Sequence, residues 1–393
     1  MRCRRFLLLS IGALLLDLTP ARAQSEWQQL YEKGLNLWDQ SLLPDPGLDP
    51  EWIFQPAKNW CFSSGYEWNR MGVRLVSEID FQEDSRHVDS RVGVRLMDPA
   101  AHHVGAHVGF GPVCLGYSHE VGRKTGNNFS FSFKYISTHY GGEIRYGKYS
   151  NTLVASLSLD MDNNGQYDLE EYDMTEFLSD RPGDLVSVIL SGFYAFNKER
   201  FCYISAYNGK MVQRRSAGSW LVSAKYMQCK LKIAAEDAMI LDILQGMGQY
   251  RTYQFFLGGG YSFNWVPYHR DPAQGRDLRG LRNLTVNFTA MPQLTVFNRT
   301  VNYAYLNIAP YVYSDRVVGR YPLMGSLQPN FITSAGVNYA IGHFFLNLWS
   351  DYDLLHFSSP DKADAGEGED HYNISQDGMF SNWRVAFELS YRF

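Results

Sequence analysis

The feature that most constrains this chain is a period-two alternation that begins after Pro56 and persists to the last residue. In the final stretch Trp383, Val385, Phe387, Leu389, Tyr391 and Phe393 alternate with Arg384, Ala386, Glu388, Ser390 and Arg392. A strand turns successive side chains to opposite faces, so one face here is apolar and aromatic and the other largely charged. Leu284, Val286, Phe288 and Ala290 likewise oppose Asn283, Thr285, Asn287 and Thr289, and Phe129, Phe131, Phe133 and Tyr135 oppose Ser130, Ser132 and Lys134. Tyr253, Phe255, Leu257, Tyr261, Phe263 and Trp265 share a face that runs longer than most soluble strands. Alternation alone also fits a soluble sandwich whose apolar face turns inward.

The last residue tips the balance. A strand that closes on Phe393 resembles the C-terminal signal of bacterial outer-membrane β-barrels, which is read by the barrel-assembly machinery. The expected partners are therefore that machinery and outer-membrane lipid. A content of 26 Tyr, 24 Phe, 9 Trp and 34 Gly suits many long strands with aromatic ends. The expected fold is all-β, a transmembrane antiparallel up-and-down β-barrel of about fourteen strands, with twelve to sixteen permitted, behind a short N-terminal helix.

At the other terminus Arg2, Arg4 and Arg5 precede an apolar run that ends in Ala21-Arg22-Ala23, the pattern cut by signal peptidase. Residues 1–23 are read as a signal peptide cleaved after Ala23, which implies export and location in the outer membrane. Residues 24–58 are read as a periplasmic segment, with Trp27, Leu30, Tyr31, Leu35, Trp38 and Leu42 at helical spacing before Pro44, and 59–393 as the barrel. A formal net charge of −5 argues against a nucleic-acid partner. Cys61, Cys114, Cys202 and Cys229 remain after cleavage, and their spacing fixes no disulfide pairing.

Outer-membrane barrels have short periplasmic turns and longer outside loops, with both termini inside. Counting back from Phe393, the connections near 357–377, 314–327, 267–280, 209–217 and 160–183 are expected outside. Those near 341–342, 293–298, 197–198 and 138–141 are expected in the periplasm. One stretch breaks the parity: 231–250, with its helix-like "AAEDAMILDILQGM", falls on the periplasmic side. It reads as a periplasmic helix, as a plug entering the barrel, or as a sign that a strand nearby is miscounted.

Between Gly183 and Tyr226, Phe196-Asn197, Lys198, Phe201, Gln213 and Ser216-Ala217-Gly218-Ser219 resemble the Bacteroidota barrel family known as domain of unknown function 4421. "VGAHVGFGPVCLGYSHEV", Asp49-Pro50-Glu51-Trp52-Ile53 with Pro56 and Trp60, and "GGGYSFNWVP" look like further segments of the same family. The resemblance covers most of the mature chain and implies an outer-membrane barrel. It brings no ligand, activity or active-site residue with it.

One loop could carry a metal. In "DMDNNGQYDLEE", Asp160, Asp162, Asn164, Gln166, Asp168 and Glu171 occupy the ligand positions of an EF-hand loop, with Gly165 at the sharp turn. Such an all-oxygen set suits Ca²⁺. The preceding "NTLVASLSL" alternates like a strand, so the incoming helix of an EF-hand is missing. The alternative is a solvated acidic loop tip; if calcium binds, the site is a weak clip on an outside loop. Calorimetric titration of Glu171→Gln against the unaltered chain checks this, with reduced heat expected for the variant and identical heats overturning the clip.

His102, His103 and His107 suggest a metal cluster, but His103 and His107 on one strand face would stand about 13 Å apart, too far to share an ion. His356 and Ser358 share parity with the apolar face of Phe344, Leu346, Leu348, Tyr352 and Leu354, as a lipid-facing Ser-His pair would. No third group orients the imidazole. Asn347, Asp351, Asp353, Arg384, Glu388 and Arg392 point to the opposite, inward face, where mixed charges either line a wet pore or pair off and fill a closed one. The expected role is passage of small solutes or surface binding, without catalysis. The alternatives are a calcium-dependent outer-membrane lipid hydrolase and a structural barrel that presents loops to a partner.

Overall fold

Strands with one apolar and one polar face leave no edge exposed when the first and last members of their sheet pair. The computed structural model of the chain makes this closure. It describes residues 48–56, 60–83, 86–97, 101–122, 128–150, 154–160, 170–173, 183–207, 211–244, 246–271, 278–325, 327–364 and 371–393. The signal peptide expected over 1–23 and the helix expected from Trp27 lie outside the described residues.

The strands of the first half are β1 (Ile53–Phe54), β2 (Trp60–Glu83), β3 (Arg86–Met97), β4 (Ala101–Phe110), β5 (Val113–Glu120), β6 (Phe129–Ile136), β7 (Tyr140–Ser150), β8 (Val154–Asp160) and β9 (Glu170–Asp173). The second half adds β10 (Gly183–Ala195), β11 (Val212–Gln213), β12 (Ala217–Ile233), β13 (Met247–Arg270), β14 (Arg282–Ala309), β15 (Val312–Met324), β16 (Gln328–Ile341), β17 (Phe344–Asp364) and β18 (His371–Arg392). A 3₁₀ turn covers Tyr203–Ala206 and a helix, α1, covers Ala238–Ile243.

Twelve of these strands, β2, β4 to β7, β10, β12 to β14 and β16 to β18, form a closed antiparallel up-and-down barrel. The β18–β2 register runs from Arg392↔Cys61 to His371↔Gln82, and the Phe393 N–H donates to the Trp60 carbonyl at 3.1 Å. The fold class is the expected one, with the strand number at the lower bound of the expected range. β3, β8 and β9 extend sideways from the distal half of β2, and β15 pairs with the distal half of β14.

Two local expectations are corrected, and together they restore the parity of the loops. First, 293–298 is no turn, since β14 runs unbroken through it. A register shift between β13 and β14 occurs here, and Val296 and Phe297 are both exposed. A bulge of this kind flips the alternation and so mimics a turn in the sequence. Second, the segment after Asn197 is no strand. Phe201, Cys202, Ile204 and Ala206 are all buried, a run that alternation cannot produce, because the segment folds inward as the 3₁₀ turn.

The near end is defined here as the one carrying Trp60 and Phe393. The connections 196–216 and 271–281 therefore lie at the near end, contrary to the expectation for 209–217 and 267–280. The helical stretch within 231–250 lies at the far end, contrary to its expected side.

Polarity runs inside out relative to a soluble sheet. Phe288 is 59% exposed whereas Asn287 beside it is fully buried, as are Asn283 and Thr285. Phe131, Phe133, Leu257, Phe263, Leu348 and Phe387 are also exposed on the outer face. Aromatic pairs ring the near rim, with Trp60–Phe110 and Tyr391–Phe393 each at 5.0 Å. Trp68–Trp383 sit at 5.0 Å farther up. Trp383 to Phe393 covers about 33 Å of strand, or about 25 Å along the axis at a tilt near 40°, the height of an outer-membrane apolar band. Among the described residues no helix is long and apolar enough to cross a membrane.

Candidate functional site

The inward face is blocked at two levels by the chain itself. At the near end the connection between β10 and β12 turns into the lumen, and residues 48–56 strap it in place. β1 pairs with β11, and the Arg214 N–H donates to the Trp52 carbonyl at 2.7 Å. The Arg200 and Arg215 guanidinium groups stand over the Trp52 ring at 5.4 and 5.7 Å, within cation–π range. Fully buried Phe201 packs with Ala195, Leu221 and Met291.

Hydrogen bonds lock this plug to the wall. Asn264 Nδ2 donates to the Cys202 carbonyl at 2.7 Å and Tyr207 Oη donates to Asn287 Oδ1 at 2.6 Å, while within the plug Gln213 Oε1 accepts from the Cys202 N–H at 2.9 Å. Gly336 makes room for it: a Cβ there would stand 2.9 Å from the Tyr207 ring and 3.1 Å from the Ala206 carbonyl.

Toward the far end the lumen is apolar. Ile240, Leu241 and Leu244, in and just after α1, cluster with Tyr149, Leu185, Met227, Leu231, Tyr250, Phe256, Leu355 and Phe380 from six strands of the wall. Burial in this cluster holds α1 in place, with a polar tether from Tyr313 Oη to Asp242 Oδ1 at 3.1 Å.

Between plug and apolar layer lies a charged chamber. Register sets its height, because the inward residues two positions beyond Lys225, Asp353 and Asn382 toward the far end are Met227, Leu355 and Phe380 of the apolar layer. The chamber has two adjoining lobes of about 240 and 190 Å³ that share Lys134, Glu143, Arg145, Asp351 and Arg384, with Tyr203 and Ile204 of the plug lining both.

Of its carboxylates, Glu143, Asp351 and Asp353 are each paired with a cation. Arg145 Nη2 donates to Glu143 Oε1 at 2.7 Å, with Lys134 Nζ at 3.7 Å from the same oxygen. Arg384 Nη2 donates to Asp351 Oδ2 at 2.8 Å. Lys225 Nζ donates to Asp353 Oδ2 at 2.9 Å, and because β12 and β17 stand four places apart in the barrel this bond crosses the lumen. His107 Nδ1 lies 3.9 Å from Glu388 Oε1. Gly258 has no side chain between β12 and β14, which lets Gln293 Nε2 donate to Ser223 Oγ at 3.1 Å across it.

The inward set read from the sequence, Asn347, Asp351, Asp353, Arg384, Glu388 and Arg392, does face the lumen, and three of its acids and Arg384 line the chamber. Glu143, Arg145, Lys225 and the plug tyrosines were not legible as a site. "GGEIRYGKY" carries the alternation of Glu143 and Arg145 with Ile144 and Tyr146, but nothing in it says which strands meet across the lumen.

Of the calcium-loop residues, Asp160 ends β8 and Glu171 lies in β9, which pair as a hairpin beyond the far end. Asp162, Asn164, Gln166 and Asp168 lie outside the described residues. The three histidines diverge: His102 stacks on Tyr66 at 5.8 Å, His103 meets the Tyr149 ring edge-on at 6.4 Å, and His107 faces Glu388. His356 keeps outward parity on β17, its N–H donating to Asn330 Oδ1 at 2.6 Å; the side chain of Ser358 lies outside the description. The four cysteines are free thiols.

A sequence profile described as Domain of unknown function (DUF4421) matches residues 73–313. A sequence comparison with curated proteins gives no match. Among solved structures the chain is similar to the outer membrane protease OmpT of Escherichia coli, with 8% identity, 86% of this chain and 98% of that one covered, and a TM-score of 0.35. It is also similar to a FadL homologue of Pseudomonas aeruginosa (7%, 85% and 90%, 0.21) and to the toluene transporter TodX of Pseudomonas putida (9%, 82% and 89%, 0.21).

Proposed function

The chain belongs to the DUF4421 family, and we propose that it is an outer-membrane barrel that admits small solutes to an occluded central chamber, by gated rather than free passage. The observation that carries this reading is the charged chamber held between the near-end plug and the far apolar layer. An open diffusion pore needs a continuous wet path, whereas here the lumen is interrupted twice by the chain's own side chains. The exposed aromatic belt supports lipid as the outer partner, and the terminal strand ending at Phe393 is the segment for the assembly machinery to engage. Calcium at 160–171 would stiffen the β8–β9 tip without touching the chamber.

Planar-bilayer recording tests the reading. The intact chain is expected to show no steady conductance step, and a chain shortened both at 199–214 and at 236–244 is expected to show discrete steps. A steady open level from the intact chain would overturn occlusion, as would silence from the doubly shortened barrel once its strand signal in circular dichroism shows it folded.

A further inference from the structure

We propose that the outward face of the far rim binds the headgroup of a lipid carrying a phosphate monoester, on a cluster made by Lys230, Arg251 and Arg299. This rests on the membrane placement proposed above and adds the class of lipid.

Three neighbouring strands carry the cluster. Leu231, Tyr250 and Asn298 are buried toward the lumen, so the cations next to them in sequence face outward. On β12 the outward side chains run Trp220, Val222, Ala224, Tyr226, Gln228 and then Lys230. On β13 Phe263, Tyr261, Gly259, Leu257, Phe255 and Tyr253 lead to Arg251. On β14 Phe288, Ala290, Pro292, Leu294 and the bulged Val296 and Phe297 lead to Arg299. In each strand the first charge past the apolar run is a cation. From Trp220 to Lys230 is about 33 Å of strand, or about 25 Å along the axis at a tilt near 40°, so the charges stand where the apolar band gives way to headgroups.

Register brings them together. Lys230 is directly opposite Arg251, whose guanidinium lies over the Tyr303 ring at 5.3 Å. Arg299 is opposite Tyr253, one diagonal step from Arg251. Directly opposed side chains have Cβ atoms about 5 Å apart and diagonal ones about 7–8 Å, so the three charges share a patch that one headgroup spans. Lys148 lies on the same line of strand pairing, beyond Val186.

No described carboxylate answers these charges. Their other register partners are Val186, Val301, Tyr253 and Met324. Asp184 stands opposite Lys232 and Asp315 lies 3.5 Å from it. Asp242 accepts from Tyr313, and Glu236, in the connection above, is exposed. Among the described residues no ion pair reaches Lys230, Arg251 or Arg299. Like charges placed directly opposite one another destabilise a sheet, so the patch is incomplete without an anion.

The chemistry of that anion follows from the donors and from what lies beneath them. An arginine fork matches phosphate oxygens in two parallel bonds, and a phosphate monoester brings a charge of about −1.5 to −2. A water-soluble anion would meet the cations alone. The apolar face just below them, with Phe255 and Leu294, is covered by acyl chains, so a lipid meets both parts of the surface.

The test is native mass spectrometry of the full chain released from neutral detergent. The probes are dioleoyl phosphatidic acid, a monoester; phosphatidylglycerol and phosphatidylcholine with the same chains; and inorganic phosphate. Phosphatidic acid is expected to bind about tenfold more tightly than phosphatidylcholine, with phosphatidylglycerol between them and no displacement by equimolar inorganic phosphate. Lys230→Gln/Arg251→Gln/Arg299→Gln is expected to bring phosphatidic acid to within about twofold of phosphatidylcholine. Arg70→Gln/Lys198→Gln/Arg270→Gln removes the same charge from exposed positions elsewhere and is expected to leave the order of lipids unchanged. Because the cluster repels itself when empty, the first variant is expected to melt no lower than the parent in neutral detergent. It should also lose the rise in melting temperature that phosphatidic acid gives the parent.

Equal binding of phosphatidic acid and phosphatidylcholine by the parent would overturn the proposal, as would equal losses in the two variants or displacement of the lipid by inorganic phosphate. A chain that floats with vesicles yet shows no headgroup preference overturns the lipid site and leaves the membrane placement standing. A folded chain that stays out of vesicles removes the placement itself.

Discussion

Lys225→Met is expected to destabilise the folded barrel by about 3–5 kcal/mol, the range found when one partner of a buried ion pair is removed. Lys225 and Asp353 are about nine-tenths buried and bond across the lumen at 2.9 Å. Methionine keeps the stem's volume but leaves the largely buried Asp353 carboxylate without its cation. The cost therefore comes chiefly from the orphaned charge, and the double variant Lys225→Met/Asp353→Leu is expected to recover to within about 1 kcal/mol of the starting stability. Urea unfolding in detergent micelles, followed by tryptophan fluorescence, measures both. A single variant as stable as the parent would show that the strut carries no such burden.

Phe201→Ala is expected to open the near-end plug. Phe201 is fully buried among Ala195, Leu221 and Met291, and truncating such a ring costs about 3–5 kcal/mol. The plug is tied to the wall by a few side-chain hydrogen bonds and carries none of the barrel's inter-strand ladder. The loss should appear as local opening rather than collapse of the barrel. Cys202, next in sequence and fully buried, reports it. In a background with Cys61, Cys114 and Cys229 replaced by alanine, maleimide labelling of Cys202 is expected to accelerate about a hundredfold or more, since each 1.4 kcal/mol is tenfold in the open population. An unchanged labelling rate would mean that the plug is held by its polar contacts alone.

These two side chains mark the boundary of what the sequence could disclose. Alternation is a local property, so the faces of β14 and β18 were readable without knowing their neighbours, and the inward acids of β17 followed from parity alone. Lys225 is equally regular in its strand, yet its role depends on β12 standing opposite β17, a consequence of barrel closure and strand number. The count failed where local pattern and topology part company. The bulge at Val296 and Phe297 imitates a turn, and the segment from Phe201 to Ala206 buries consecutive residues because it enters the lumen instead of joining the wall. The two misreadings offset each other elsewhere in the chain, which is why only 231–250 broke the loop parity.

The same bulge has a mechanical consequence. Below it β14 is one of twelve staves whose register is fixed on both sides by β13 and β16; above it the strand continues with β13 and with β15, which belongs to no closed ring. Beyond the bulge β14 still turns Ala304 and Tyr305 into the apolar layer around α1, so the strand that walls the chamber also carries part of its roof, on a segment whose second neighbour stands outside the closed ring.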